Sequence, residues 1–267
     1  METIVSFFNS SVKIALYIGT RKQGVEYRKG EKMEKDIVCV CEIAQDIDDL
    51  IALDFLNRSN RLKGVVLDPP PKTREDWTRV ERIKSLGIEI YKSIPYCKAI
   101  FVGGAFTSVA RYLLMNKVEY IIANGGFVGA NIVPEDKQLK KFKGKTHIRT
   151  FNFCLDVDST LKVLGNKNVN HILLVGKNVC HDEKNTLSGI WKDENWIREY
   201  KISETKRLHD VLAYAEGLDY IDGIKSKRLN YQPVEPEAVD IAGNKTKFGS
   251  IPLDSSHILA ATTWKIA

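Results

Sequence analysis

The sequence lacks paired cysteine motifs and long apolar runs. Its five cysteines, at positions 39, 41, 97, 154 and 180, form no CxxC pair. An odd number without such pairs argues against a disulfide framework or a zinc site, and it predicts free, buried thiols in a reducing compartment. The longest apolar stretches are too short to span a bilayer, and no basic segment precedes the apolar N-terminal residues. We therefore expect a cytoplasmic protein with no membrane partner.

A strong charge excess is also missing. The 40 Lys and Arg residues exceed the 34 Asp and Glu residues by only six, which helps to attract anionic substrates but does not indicate nucleic-acid binding. We expect no nucleic-acid partner. Apolar residues at 43% and charged residues at 28% are ordinary globular values and exclude a disordered chain. The 267 residues predict one domain over residues 36–267, preceded by a charged appendage of unknown role over residues 1–35.

Short apolar runs alternate with helical patterns from Asp36 onward. IVCVCEI is typical of a buried strand, and DDLIALDFLNR has helical spacing. Further strands are predicted at LKGVVLD, IEIYKS, VEYIIANGG and NHILLVG, and further helices at REDWTRVERIKSLG, SVARYLLMNK and VDSTLKVLG. The alternation predicts an α/β fold with a mostly parallel, Rossmann-like open sheet and helices on both faces. In such sheets ligands bind outside the carboxyl ends of the strands.

An acidic loop follows the first predicted strand. Glu42, Asp46, Asp48 and Asp49 lie within EIAQDIDD, where the strand turns into a helix. Carboxylates at a helix start gain from its positive end, but four of them repel one another, and a hard divalent cation relieves that repulsion. A helix cap alone needs only one carboxylate. The loop therefore predicts metal or sugar binding.

EIAQDIDDLIAL resembles the acidic signature of the inosine–uridine-preferring nucleoside hydrolase family, and the chain is a divergent match. Later segments resemble other family motifs in the same order, from about Ile37 to Gly249: GGAFTSVARYL, IIANGGFVGAN, FNFCLDVDST, LHDVLAYAEGLD and EPEAVDIAGNKTKFG. The resemblance implies a nucleoside hydrolase-like fold and a dimer or tetramer. It also implies metal-dependent hydrolysis of the N-glycosidic bond of a ribonucleoside, in nucleoside salvage.

The resemblance implies one bound Ca²⁺, in preference to Mg²⁺. Its ligands would be Glu42, Asp49, Asp210 and the backbone carbonyl of Thr107, all of them oxygens as calcium prefers. Glu42 stands where the family has an aspartate. It would also accept the proton of the attacking water.

The remaining roles also come from the resemblance. His209 would protonate the departing base, for which a near-neutral pKa is suitable. Asp48 would bind a ribose hydroxyl with help from Asn152. Asp46 would either orient the neighbouring metal ligands or serve as an additional ligand, and both roles stay open.

Two departures from the family pattern affect the expected substrate. Thr150 replaces a glutamate that contacts the ribose 5′-hydroxyl, and Lys143, Lys145 and Arg149 precede it. Because a carboxylate is lost and cations are near, a 5′-substituted nucleoside or a nucleotide is a hypothesis, although residues 137–149 also fit a solvated surface loop. Asn124 replaces a pocket-lining methionine, so the family's base specificity does not transfer.

Aromatic residues before the His209 segment have two possible roles. Trp191, Trp196 and Tyr200 would either stack on the base or pack in the core of a short helix. The other histidines, at 147, 171, 181 and 257, show no acidic partner of the kind that His209 has in Asp210.

Two other functions compete with hydrolysis. A catalytically weak nucleoside-binding or regulatory protein on the same fold would not require an acid beside a metal ligand. A Mg²⁺-dependent phosphatase is disfavoured, because the Asp-x-Asp nucleophile pattern is missing.

Overall fold

Six parallel strands form the central sheet of the computed structural model. They are β1 (Ile37–Cys41), β2 (Leu62–Leu67), β3 (Ile90–Tyr91), β4 (Ala99–Val102), β5 (Val118–Asn124) and β6 (Val169–Val175). Their order is β3-β2-β1-β4-β5-β6, and each neighbouring pair is parallel. The order reverses between β1 and β4, so a crevice opens at the carboxyl ends of these two strands. The predicted α/β open sheet is confirmed.

The structure describes residues 35–43, 47–127, 130, 133–146, 148, 150–182, 199–203 and 205–224, and the backbone of five short strands after them. These are β7 (Leu229–Tyr231), β8 (Glu237–Val239), β9 (Lys245–Thr246), β10 (His257–Leu259) and β11 (Thr263–Lys265). They form a three-stranded sheet, β10-β8-β9, and a β11-β7 pair. The following predicted residues lie outside the described part: the appendage before Lys35, Asp46, His147, Arg149, Trp191 and Trp196.

Seven helices surround the sheet in the described residues. They are α1 (Asp48–Arg58), α2 (Arg74–Ser85), α3 (Thr107–Leu113), α4 (Phe151–Leu155), α5 (Val157–Leu164), α6 (Lys177–Cys180) and α7 (His209–Ile221). Two 3₁₀ turns, Glu135–Lys137 and Lys140–Phe142, lie in the charged segment before α4. None of the helices in this part of the chain is long and apolar enough to cross a membrane.

The two faces of β1 pack against different helices. Ile37, Cys39 and Cys41 belong to a core shared with α1, α2 and α7, whereas Val38 and Val40 belong to a core shared with α3 and α5. Because both faces are covered, all five β1 residues are buried, which is why this strand is apolar throughout. All five cysteines are described and none forms a disulfide. Four of them are buried, as the sequence predicts, and Cys154 is partly exposed.

The sequence pattern correctly predicts every main element of the sheet except β4. Ala99–Val102 was not among the predicted strands, yet it pairs with both β1 and β5. A four-residue apolar run is hard to distinguish from a loop by periodicity alone. Gly103 and Gly104 follow β4 directly and mark its carboxyl end, beside the point where the strand order reverses.

The helix α7 lies close against the sheet and is tied to it at its far end. Arg61, at the start of β2, pairs with Asp36 at 2.8 Å and with Asp222, just after α7, at 2.8 Å. Within α7, Gly217 faces Ile122 of β5, and a β-carbon at Gly217 would lie 2.5 Å from Ile122 Cγ2. A side chain at position 217 would therefore push the helix away from the sheet.

We expect Gly217→Ala to lower the free energy of unfolding by about 1–3 kcal/mol, because overpacking against Ile122 outweighs the better helix propensity of alanine. Urea denaturation measures the change. The control is a double-mutant cycle with Ile122→Ala, which removes the clashing atoms. The losses of unfolding free energy in the two single variants should then sum to more than the loss in the double variant. Strict additivity would contradict the close contact.

Candidate functional site

A cavity of about 260 Å³ lies at the carboxyl ends of the central strands, beside the point where the strand order reverses. Its lining comes from the segments that follow β1, β4, β5 and β6 and from the starts of α4 and α7. The residues that line it are Glu42, Asp48, Asp49, Gly103, Asn124, Gly125, Thr150, Phe151, Asn152, Lys177, Cys180, His181, His209 and Asp210. Most of the residues that the sequence singles out therefore converge on one cavity.

A larger cavity of about 400 Å³ lies elsewhere, against Leu62 and Glu89, at the amino ends of β2 and β3. Ligands of open α/β sheets bind at the opposite, carboxyl edge. We therefore take the smaller, polar cavity as the candidate site.

Four carboxylates lie near one another in the lining of this cavity, and all are at most 6% exposed: Glu42, Asp48, Asp49 and Asp210. Gly103 makes their approach possible, because a β-carbon there would lie 2.6 Å from Asp49 Oδ1 and 3.2 Å from Asp210 Oδ1. The oxygens of two residues distant in the sequence thus reach the same glycine. We call these four residues the acidic group.

Hydrogen bonds connect the acidic group to its neighbours. The backbone N–H of Asp210 donates to Asp48 Oδ2 at 3.1 Å, so the first turn of α1 is joined to the first turn of α7. Asn124 Nδ2 donates to Asp210 Oδ1 at 2.7 Å, and Asn152 Nδ2 donates to the Asn124 carbonyl at 2.9 Å. Asn124 is therefore a structural partner of an aspartate, a role that the sequence did not reveal.

The carboxyl of Asp49 carries an electrostatic cost. Burial raises the pKa of its carboxyl well above the usual range, and the nearby carboxylates of Asp210, Asp48 and Glu42 raise this pKa further. Asp49 Oδ1 is buried and has no hydrogen-bond partner among the described residues. A buried, unsatisfied carboxylate oxygen costs free energy that a cation or a hydroxyl donor would recover.

The donors of the acidic group fit a hard divalent cation, since all are carboxylate oxygens and one lacks a partner in the described residues. The spacing of these donors, in contrast to their chemistry, does not form a complete metal site in the described residues. In the described ranges, no three Asp, Glu, His or Cys side chains are grouped closely enough to hold a metal ion. Calcium binding by Glu42, Asp49 and Asp210 stays a prediction.

The lining of the cavity also includes residues that the sequence does not single out. His181 packs its ring against His209 at a centroid distance of 5.0 Å. Lys177 and Cys180 lie on α6 beside it, and Phe151, which is 46% exposed, lines the cavity at the start of α4. The signal that identifies them is their position directly after β6 or at a helix start, on the ligand-binding edge.

Several predicted residues are not brought to this cavity. Thr107 begins α3 away from the lining, and its hydroxyl donates to Asp156 Oδ2 at 2.7 Å. Lys143 pairs with Glu135 at 2.9 Å on the surface, and Lys145 is exposed. Tyr200 is buried and donates to Asp54 Oδ2 at 2.9 Å, so it has the core role and not the stacking role.

Comparisons with known proteins add no family assignment. No model of a known protein family matches the chain, and the search of curated proteins finds no match. The resemblance to nucleoside hydrolases therefore depends on the motifs alone, and the fold and the site geometry have to carry the functional argument.

We expect Asp49 to make stability dependent on pH when a chelator removes divalent ions. Its folded pKa is raised, so between the unfolded and the folded pKa the folded state binds more protons, and stability falls as the pH rises through that range. One proton contributes at most about 1.4 kcal/mol per pH unit. Urea denaturation of wild type and Asp49→Asn across this range tests it.

The Asp49→Asn variant should lose this slope and exceed the wild type in stability at the alkaline end. The matched control is Asp158→Asn, because Asp158 pairs with Lys162 at the surface of α5. This variant should keep the pH dependence of the wild type. Identical slopes for wild type and Asp49→Asn would contradict the assignment.

Proposed function

We propose that the protein hydrolyses the N-glycosidic bond of a ribonucleoside to give the free base and ribose. The observation that carries this proposal is the convergence of Glu42, Asp48, Asp49, His209 and Asp210 on one cavity at the switch point of the sheet. This combination provides a proton acceptor, groups for sugar hydroxyls and a proton donor in one place. A cytoplasmic location is part of the proposal.

The chemistry needs two proton transfers. The oxygen of a water molecule attacks C1′ of the ribose while the bond between C1′ and the base nitrogen breaks, and the bonding electrons leave with the base. Glu42 accepts a proton from the water, and His209 supplies a proton to the base nitrogen. Positioned groups of this type contribute about 10²–10⁴-fold each.

The sugar is held by the polar residues between these two groups. Asp48 and Asn152 line the cavity, and carboxylate and amide oxygens accept hydrogen bonds from the ribose hydroxyls. Asp48 keeps its position because it also binds the backbone of α7. The same bond holds the start of α7, which bears His209, beside the sugar site.

A divalent ion is part of the proposal. Glu42, Asp49 and Asp210 would hold Ca²⁺, and a bound calcium ion would polarise the attacking water and the sugar hydroxyls. Supporting observations are the raised pKa of Asp49 and its unsatisfied oxygen among the described residues.

The alternative is a nucleoside-binding protein without turnover. The capping bond from the Asp210 backbone to Asp48 gives that aspartate a structural role that needs no catalysis. Release of ribose from a panel of nucleosides distinguishes the two: binding without release would support the alternative.

Calcium should stabilise the protein through Asp49. At a free calcium concentration about 100 times Kd, a site specific to the folded state gains about 2.7 kcal/mol, which raises Tm by several degrees. Asp49→Asn should abolish both this shift and ribose release, whereas Asp158→Asn should keep both. Turnover that survives Asp49→Asn would contradict the proposed site.

His209→Ala should reduce kcat by about 10²–10⁴-fold for nucleosides, whose bases leave poorly without a proton. An aryl riboside with an activated leaving group should lose far less, because its leaving group needs no protonation. Steady-state kinetics with both substrates measure the difference. His171→Ala, at an exposed histidine that stacks on Tyr120, is the control. Equal losses for both substrates would show that His209 is a positioning residue.

A further inference from the structure

A group of basic residues lies at and beside the cavity, on the side of its lining that comes from α6. Lys177 and His181 line the cavity. Lys141 Nζ lies 3.4 Å from His181 Nδ1, and an Arg207 guanidinium nitrogen lies 3.3 Å from the same ring atom. These four residues, from three separate segments of the chain, are called the basic group.

The contacts around His181 fix its protonation. Lysine and arginine side chains only donate hydrogen bonds, so Nδ1 must accept from them, and the ring proton is on Nε2. Burial lowers the pKa of His181 to about 3, and the neighbouring His209, Lys177 and Lys141 lower this pKa as well. The ring is therefore neutral and offers one N–H donor.

The cations of the basic group have no anionic partner within the part of the chain that the structure describes. Among the described residues, no carboxylate forms an ion pair with Lys141, Lys177 or Arg207. Eight other cations in this part of the chain do have such partners: Arg58, Arg61, Arg79, Arg82, Lys84, Lys98, Lys143 and Lys162. Burial lowers the pKa of Lys177, and the nearby Lys141 lowers it further. Lys177 and Arg207 are half-buried, whereas Lys141 is exposed. Like charges held close together are unfavourable where they are partly desolvated, and an anion would relieve this repulsion.

Thr150 indicates where such an anion enters the cavity. It is 3% exposed, and its hydroxyl oxygen has no hydrogen-bond partner among the described residues. A hydroxyl can donate to a phosphate oxygen, whereas a carboxylate in its place would repel one. Thr150 and Lys177 line the same cavity.

We infer that the substrate carries an anionic group on its ribose, and that it is a nucleoside phosphate whose phosphate binds Lys177, Lys141 and Arg207. This inference depends on the proposed function, since the acidic group would hold the sugar hydroxyls. The two groups would orient the substrate, with its hydroxyls at the acidic group and its phosphate at the basic group. The cations come from residues other than Lys143 and Lys145.

Binding of ribose 5-phosphate and of ribose, measured by calorimetry on the full chain, tests the inference without knowledge of the base. Ribose 5-phosphate should bind at least about tenfold more tightly, as expected for charge-assisted hydrogen bonds to a phosphate. Lys177→Met and Arg207→Gln should each bring the ratio of the two dissociation constants close to one. Added salt should also reduce this ratio.

Lys143→Met is the matched control, because it removes an exposed lysine of the same segment whose side chain pairs with Glu135 outside the cavity. It should keep the wild-type ratio. Lys141→Met, at another exposed lysine, removes a member of the basic group without changing the core, and it should reduce the ratio. This variant keeps the test valid if Lys177→Met fails to fold.

The possible failures are distinguishable. Equal affinities for the two sugars in the wild type, with ribose binding still lost in Asp49→Asn, would overturn the phosphate inference and leave the proposed function standing. A ratio that survives all three basic-group variants would also overturn it. If neither sugar binds, both the inference and the proposed function fail.

Discussion

The burial of four carboxylates at one edge of the sheet is the constraint on which the site depends. Like charges in a poorly solvated place repel, and the raised pKa of Asp49 expresses that cost. The surrounding fold offsets part of it. A backbone N–H of α7 donates to Asp48 Oδ2, and the Asn124 amide donates to Asp210 Oδ1. The oxygen of Asp49 that remains without a partner in the described residues is where the site still has binding energy to gain.

The topology explains why these charges meet at all. Parallel strands place all their carboxyl ends on one edge, and the reversal between β1 and β4 keeps that edge open. Gly103 then leaves room for Asp49 and Asp210 side by side. The segments after β5 and β6 add the amides and the cations. One edge of one sheet thus collects both signs of charge around a single cavity.

The sequence predicts most of the fold because each kind of element leaves its own pattern. A strand buried on both faces is a continuous apolar run, whereas a helix on a face of the sheet has apolar residues at helical spacing. It misses β4, whose four apolar residues are too few to show a period. The acidic group was predictable because three of its members are close in sequence. The basic group was not, because Lys141, Lys177, His181 and Arg207 come together only in three dimensions.

The energetic cost of the acidic group bears on the choice between an enzyme and a binding protein. A neutral nucleoside can be bound by amides and hydroxyls, which cost little to bury when they are hydrogen-bonded. Buried carboxylates that raise one another's pKa reduce stability, and such local conflicts are characteristic of sites where chemistry requires them. Removal of a proton from water requires a carboxylate or an equivalent base. The arrangement of Glu42, Asp49 and Asp210 is therefore easier to explain by hydrolysis than by binding alone.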